Sequence, residues 1–459
     1  SRRATSEGGA MKKSGLSRRE FLEVGAAAAG VSLVGKGLPN VRMKVPPSDT
    51  VRFGMVGVGM EGSGLLDMSI KLPGVECAAA CDLYDGRHTL SREITNNQNL
   101  PVTRRYQELL ANKNIDCIVS AVPDHWHMPL VVDAVNAGKD IYCEKPMSHS
   151  PADGVAMVEA QKKTGRIVQI GSQRVSSLVC ARGKELIAQG MLGDMMMVEG
   201  WLGRNDPTGA WEYPPPPDLS LQNFDWDTWQ GRVPKRALDG NIFARWRCWK
   251  EYGTGVAGDL LVHLISGMLF MLGRNEPPTQ AMAVGGIRRW KDGRNMPDVH
   301  LTNYYYGGDL PVSMHLNLGT EMPETYRFHG SKGVLEVTGN SLSFSPQSGK
   351  DMYPSYYTGS YPRAMREAYE AQWHKDNDPQ MGHEPMPESI SFRAPDYDDQ
   401  RPHLQAFFDA VRTRKPVVED AVFGHNAALA CHMANESYFR RAAVTWDEAS
   451  HTIKGGASS

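Results

Sequence analysis

Asp259 and His263 stand four residues apart in the run Gly253-Thr254-Gly255-Val256-Ala257-Gly258-Asp259-Leu260-Leu261-Val262-His263. A glycine-rich lead into an apolar stretch suits a loop entering a helix, and a spacing of four puts both side chains on one helical face. An imidazole so placed can take a proton, which makes His263 the candidate general base. The carboxylate of Asp259 can orient that imidazole, stabilise its charged form or bind a substrate hydroxyl. The same spacing could serve a metal pair, but no third ligand stands at a convincing distance, so no metal is expected.

A second set of residues is suited to phosphate. Gly57-Val58-Gly59-Met60-Glu61-Gly62 follows an apolar run of strand length, Val51 to Val58, and opens a helix. The first glycine permits the tight turn, the second lets the backbone approach a pyrophosphate, and the third lets helix and strand pack closely. A helix N-terminus then offers unpaired N–H groups and a favourable dipole to the phosphates. Asp82 ends the next strand, 25 residues after Gly57. A carboxylate there can take the adenosine ribose hydroxyls and repels a 2′-phosphate. NAD is therefore expected ahead of NADP, with Arg87 nearby weakening the preference.

The elements that must carry these groups fall into two patterns. Val51–Val58, Val75–Cys81, Ile115–Ala121, Asp140–Cys143 and Ile167–Ile170 read as buried strands, with helices between them such as Pro129–Ala137 and Pro151–Thr164. Apolar strands alternating with helices predict a doubly wound parallel sheet. After about residue 172 the period changes. Met195–Trp201, Ala281–Gly285, His300–Tyr306, Pro311–Leu318, Tyr326–His329 and Gly333–Val337 read as strands, and Val312, Met314, Leu316 and Leu318 alternate with Ser313, His315 and Asn317. Period-two alternation means one buried and one open face, as in an antiparallel sheet. Residues 345–400, rich in Pro, Tyr and Asp, read as a long irregular excursion. Pro402–Thr413 and Val422–Arg440 read as closing helices. The predicted division is 1–50 signal and linker, 51–172 dinucleotide-binding domain, and 173–459 substrate-binding and oligomerisation α/β domain.

Two further segments bring a family into view. Ala121-Val122-Pro123-Asp124-His125-Trp126-His127 follows a strand, and Gly138-Lys139-Asp140-Ile141-Tyr142-Cys143-Glu144-Lys145-Pro146 comes after it. With the glycine loop, these resemble the Gfo/Idh/MocA family over about residues 50 to 450. The resemblance implies a bound NAD or NADP, with Pro123, Trp126, Glu144, Lys145 and Pro146 beside it and Pro146 shaping the nicotinamide pocket. His125 and His127 either touch the nicotinamide end or hold their loop. The resemblance also implies a second domain with an open, mostly antiparallel sheet, through which dimers or tetramers form. Its D-x-x-x-H motif falls on Asp259 and His263 and its catalytic lysine on Lys145. A lysine whose pKa is lowered by burial and a neighbouring cation can help remove a hydroxyl proton. Arg174, at the end of the last nucleotide-domain strand, is expected to face the cleft and contact substrate.

The expected chemistry is hydride transfer between the nicotinamide and a sugar, polyol or glycoside. A second reading keeps the same parts and cleaves glycosides by transient oxidation with the cofactor retained. A third is a non-catalytic sugar- or redox-sensing protein. Trp201, Trp211, Trp226, Trp229, Trp246 and Trp249 crowd one stretch with Arg204, Asn205, Arg245 and Arg247. They read either as a carbohydrate cleft, since sugar C–H faces pack on aromatic rings, or as core and oligomer contacts. Pro214-Pro215-Pro216-Pro217 reads as a stiff surface connection.

The balance of 50 Lys+Arg against 52 Asp+Glu gives no support for nucleic acid or an anionic membrane as partner. The seven cysteines lack metal spacing and read as small buried hydrophobes. At the N-terminus, Arg18-Arg19 with Phe21-Leu22 precedes an Ala/Gly-rich apolar stretch, Val24 to Val34, too short to span a bilayer comfortably. That pattern resembles a twin-arginine export signal, cleaved or kept as an anchor. It predicts a periplasmic protein that leaves the cytoplasm folded, with its cofactor loaded.

Overall fold

The computed structural model describes residues 49–348, 354, 356–377 and 387–455. The arginine pair and the apolar stretch after it lie outside the described residues.

The first half folds as β1 (Val51–Val56), α1 (Met60–Ile70), β2 (Val75–Cys81), α2 (Asp85–Ile94), β3 (Val102–Thr103), α3 (Tyr106–Ala111), β4 (Cys117–Ser120), α4 (His127–Asn136), β5 (Asp140–Cys143), α5 (Pro151–Thr164) and β6 (Val168–Ile170). These strands form a six-stranded sheet in the order β3-β2-β1-β4-β5-β6, with every pair parallel. The order reverses between β1 and β4, and the crevice beyond the carboxyl ends of those strands is where such a sheet binds ligands. Strands β4 and β5 are buried at every residue, as helices on both faces require. Ser150 caps α5 through Asp153 N–H with Pro151 in the first turn, so that helix begins where the sequence predicts.

The second half contains α6 (Leu178–Ala188), β7 (Met195–Gly203), α7 (Trp226–Gln230), α8 (Gly240–Ala244), α9 (Val262–Leu272), β8 (Gln280–Gly286), β9 (Val299–Tyr306), β10 (Leu310–Asn317), β11 (Met322–Gly330), β12 (Gly333–Thr338) and β13 (Ser341–Pro346). It continues with α10 (Arg363–Asn377), β14 (Ile390–Arg393), α11 (Gln400–Thr413), α12 (Ala421–Arg440), β15 (Val444–Asp447) and β16 (Thr452–Gly455). Its ten strands run β14-β13-β12-β11-β7-β10-β9-β8-β15-β16. Only the β7–β10 pair is parallel. Val312, Met314 and Leu316 of β10 face the core. On the other face Met282, Val284, Leu301 and Tyr305 stay exposed.

One expectation is corrected. Residues 345–400 are not wholly irregular: α10 and β14 lie within them. Helix α10 buries no residue, so the polar composition misled about secondary structure while reporting exposure correctly. The packing also crosses the division expected at residue 172. Leu404, Phe407 and Phe408 of α11 join Phe53 in the core on one face of the parallel sheet. Ala421 and Ala428, in α12, join Met147 and Ile170 on the other. The carboxyl-terminal helices thus complete the nucleotide domain's core, stitching the two halves together and fixing the cleft between them.

Candidate active site

A cavity of about 740 Å³ opens at the carboxyl edge of the parallel sheet. Gly57, Gly59, Met60, Glu61, Asp82, Pro123, Trp126, Glu144 and Lys145 line one side; Tyr213, Pro214 to Pro217, Trp229, Phe243, Trp246 and Arg247 line the other. That size suits a ligand as large as a dinucleotide.

The glycine turn fits a pyrophosphate. Gly57 has φ +83, and a Cβ there would lie 2.5 Å from the Ala121 carbonyl oxygen. A Cβ on Gly62 would lie 2.0 Å from the Gly57 oxygen, so helix and turn close only on glycine. At Gly59 the nearest atom to such a Cβ is on the Arg87 side chain at 3.5 Å, which leaves the turn open towards the cavity. Asp82 is 6% exposed. It accepts the Val58 N–H at 2.8 Å and the Tyr84 N–H at 3.0 Å, and Arg87 stands 3.4 Å away. The carboxylate is thereby fixed in place at the cavity wall.

At the other end, Lys145 reaches Asp259. Its Nζ donates to the Asp259 carbonyl and to Oδ1, both at 3.0 Å. Arg247 Nε donates to the same Oδ1 at 2.9 Å. Ala257–Leu261 is a π-turn and the α-helix begins only at Val262. The Asp259 carbonyl that accepts from Lys145 lies within this wider turn. Burial would raise the Asp259 carboxyl, but the charges of Lys145, Arg247 and Arg204 outweigh it and hold the group well below the ordinary carboxylate range.

His263 is 8% exposed. Burial, then the charge of Lys145, pushes its imidazole down to about 3, so it is neutral at physiological pH. Its Nδ1 is buried and has no hydrogen-bond partner among the described residues. Tyr326 Oη lies 3.0 Å from the His263 carbonyl and 2.7 Å from Glu324 Oε1, two acceptors that share its one O–H proton. Arg174, expected to face the cleft, is spent here instead. It forks onto Glu324 at 2.6 Å and reaches Asp399 at 2.5 Å. With every direction of its guanidinium engaged, Arg174 braces the helix that carries His263.

The two histidines after Pro123 turn inward. His125 contacts the Tyr252 and Trp229 carbonyls at 3.1 and 2.8 Å, and His127 those of Pro146 and Val122 at 2.7 and 2.8 Å. Of the two readings, the structure gives loop-holding contacts. Asp124, to which the sequence assigned no role, accepts Thr254 N–H at 2.9 Å and Oγ1–H at 2.6 Å, joining this loop to the glycine-rich lead. Together these contacts set Asp259 against Lys145. Burial, then the Glu61 charge, pushes the Glu144 carboxyl up to about 8, so it keeps its proton beside the cavity at neutral pH.

The tryptophans divide. Trp211, Trp226 and Trp229 are buried, the last two stacked at 4.9 Å. Trp201 stacks on His315 across the second sheet. Trp249 packs against the second-half core. Trp229 and Trp246 border the cavity. Arg245 pairs with Glu212. The proline run is no mere surface connection, since it walls the cavity. Among the described residues no group of His, Cys, Asp or Glu is set to hold a metal, and no helix is long and apolar enough to cross a membrane.

Residues 51–172 match the family model for an oxidoreductase family with an NAD-binding Rossmann fold, and residues 221–336 match the model for the GFO/IDH/MocA C-terminal domain. An inositol 2-dehydrogenase of Salmonella paratyphi B is 32% identical over 155 residues, 33% of this chain and 45% of the relative. A glycosyl hydrolase family 109 protein of Shewanella pealeana is 27% identical over 180 residues, 37% of each. The chain thus matches less than half the length of these curated relatives. Levoglucosan dehydrogenase in complex with NADH shares the fold with a TM-score of 0.61 at 18% identity, over 86% of this chain and 99% of that one.

Proposed function

The chain belongs to the Gfo/Idh/MocA family, and on that premise we propose that it transfers hydride between NAD and a carbinol carbon of a sugar, polyol or glycoside. One observation carries this reading: Lys145, at one end of a cleft whose other end is a pyrophosphate-shaped glycine turn, is paired with Asp259, and a neutral His263 with an unpartnered Nδ1 lies within the field of both. Gly57 to Gly62, Asp82 and Glu144 would hold the cofactor, which supplies the hydride acceptor when bound. His263 takes the hydroxyl proton. Lys145, held by Asp259, sets its ammonium beside the oxygen and stabilises negative charge as the proton leaves. Asp82 sets the preference for NAD over NADP by repelling a 2′-phosphate.

A panel of sugars and polyols assayed for NADH formation tests this. His263→Ala and Lys145→Ala are expected to abolish turnover while the folded protein keeps its cofactor. Normal sugar-dependent NADH formation by both variants would remove the assignment.

The relatives named glycosyl hydrolase family 109 favour one second reading, in which transient oxidation of the sugar leads to glycoside cleavage and the hydride is then returned to the sugar, leaving the cofactor oxidised in place. Glycoside cleavage without net NADH would establish it. The twin-arginine-like N-terminus supports export to the periplasm, where a retained cofactor suits the scarcity of free NAD. The exposed Met282, Val284, Leu301 and Tyr305 support a homodimer or homotetramer formed through the open sheet face.

A further inference from the structure

Arg247 is held at one edge and open at the other. Its Nε is fixed by Asp259 Oδ1 at 2.9 Å, and its guanidinium lies 4.2 Å from the centre of the Trp246 ring. Both residues line the cleft. The two terminal nitrogens have no protein partner among the described residues. This differs from Arg174, which is consumed by Glu324 and Asp399, and from Arg245, which donates Nε to the Tyr213 carbonyl and pairs with Glu212. Nor is the charge of Arg247 cancelled locally. Asp259 is already answered by Lys145 at 3.0 Å. Asp124, the other carboxylate whose charge reaches Arg247, is tied to Thr254. The Arg204 cation adds its charge at Asp259.

A guanidinium held rigid by a carboxylate on one edge and an aromatic ring on its face presents a fixed fork of donors, the geometry that receives a planar carboxylate in two parallel hydrogen bonds. We propose that Arg247 reads a carboxylate on the substrate, so that the preferred substrate is a sugar acid of the aldonic or uronic type rather than a neutral sugar. This rests on the assignment of the cleft as a hydride-transfer site. A phosphorylated sugar offers the same anionic chemistry, and the assay separates the two.

NAD-loaded protein is titrated calorimetrically with D-gluconate, D-glucuronate, D-glucose and glucose 6-phosphate, and NADH formation is followed in parallel. The expected result is tighter binding of the sugar acids than of glucose by about 10- to 100-fold, the range of a hydrogen bond to a charged group. Arg247→Met is expected to bring that ratio close to one without releasing NAD. Arg247→Lys, which keeps the charge but not the fork, retains part of it. Glucose binding as tightly as the acids overturns the proposal, with no variant required. So does an acid preference that survives Arg247→Met, or loss of NAD in that variant. Preference for the phosphate over both acids overturns the carboxylate assignment. NADH formed from neutral sugars alone removes this inference and leaves hydride transfer standing. Acid-selective binding with no NADH from any sugar leaves the anion site standing and removes hydride transfer.

Discussion

The two ends of the cleft recognise their ligands by different means. At the glycine turn, shape is set by backbone: Gly57 and Gly62 leave space that a single methyl group would close, and Asp82 is pinned by two main-chain N–H groups. At the π-turn, recognition is by side-chain charge: Lys145, Arg247 and Asp259 share one carboxylate oxygen, and His263 stands within their field. The backbone end can be rigid because one cofactor is always the guest. The contrast teaches that binding and turnover should separate cleanly under mutation.

Gly62→Ala attacks the backbone end most severely. Its Cβ would overlap the Gly57 carbonyl, so the turn must shift, at a cost of about 3 kcal/mol. NAD content of the purified protein, measured on denaturation, is expected to fall by about 100-fold or more in affinity terms. At the other end, His263→Ala should lower kcat by a factor on the order of 10² to 10⁴ while NAD content stays at the wild-type level. Equal loss of cofactor in both variants would collapse the distinction between the two ends. Asp82→Asn keeps the shape and removes the charge, and is expected to shift the NAD-to-NADP preference by about tenfold towards NADP. An unchanged ratio would place the discrimination elsewhere.

The smallest effect is on stability against pH. Burial pushes His125, His300, His403 and His425 down to about 4, and His263 and His432 to about 3. Unfolded, each binds a proton below its ordinary value of 6.5. The unfolded chain therefore holds more protons as pH falls from 6.5 towards 4, and their contribution to stability is lost across that window. Glu144 and Glu419 act oppositely. Burial raises both to about 8, so their contribution is full below 4.5 and lost as pH rises through 8. The two windows overlap from 4.5 to 6.5, where six histidines outweigh two carboxyls, so thermal unfolding is expected to show greatest stability near pH 6.5 and a decline on both sides. A melting temperature that kept rising down to pH 4 would contradict the buried, neutral state of these histidines.

What the sequence reveals follows the same divide. The glycine loop is legible because its rules are local: one turn, one helix start and one close contact within six residues. The spacing of Asp259 and His263 is legible for a similar reason, and the family motif points to Lys145, which the structure pairs with Asp259. The contact of the π-turn with Lys145 is not legible, since Lys145 comes from a segment more than a hundred residues away. Arg247 stood out only as one of several polar residues among tryptophans; its pairing with Asp259 is a tertiary contact. Arg174 misled because its position at the strand end is right for the cleft, while Glu324 and Asp399, far along the chain, decide where it points. Short edge strands such as β14 and β16 escaped because strands of four residues show too little alternation.

The central claim is that the two ends of the cleft serve one reaction. Wild-type protein loaded with NAD can be given a sugar or sugar acid deuterated at its carbinol carbons, and the nicotinamide recovered and weighed by mass spectrometry. The account predicts deuterium on the nicotinamide in the wild type and none in His263→Ala, with NAD bound in both. Nicotinamide that stays free of deuterium in the wild type, while the sugar is consumed, would contradict it.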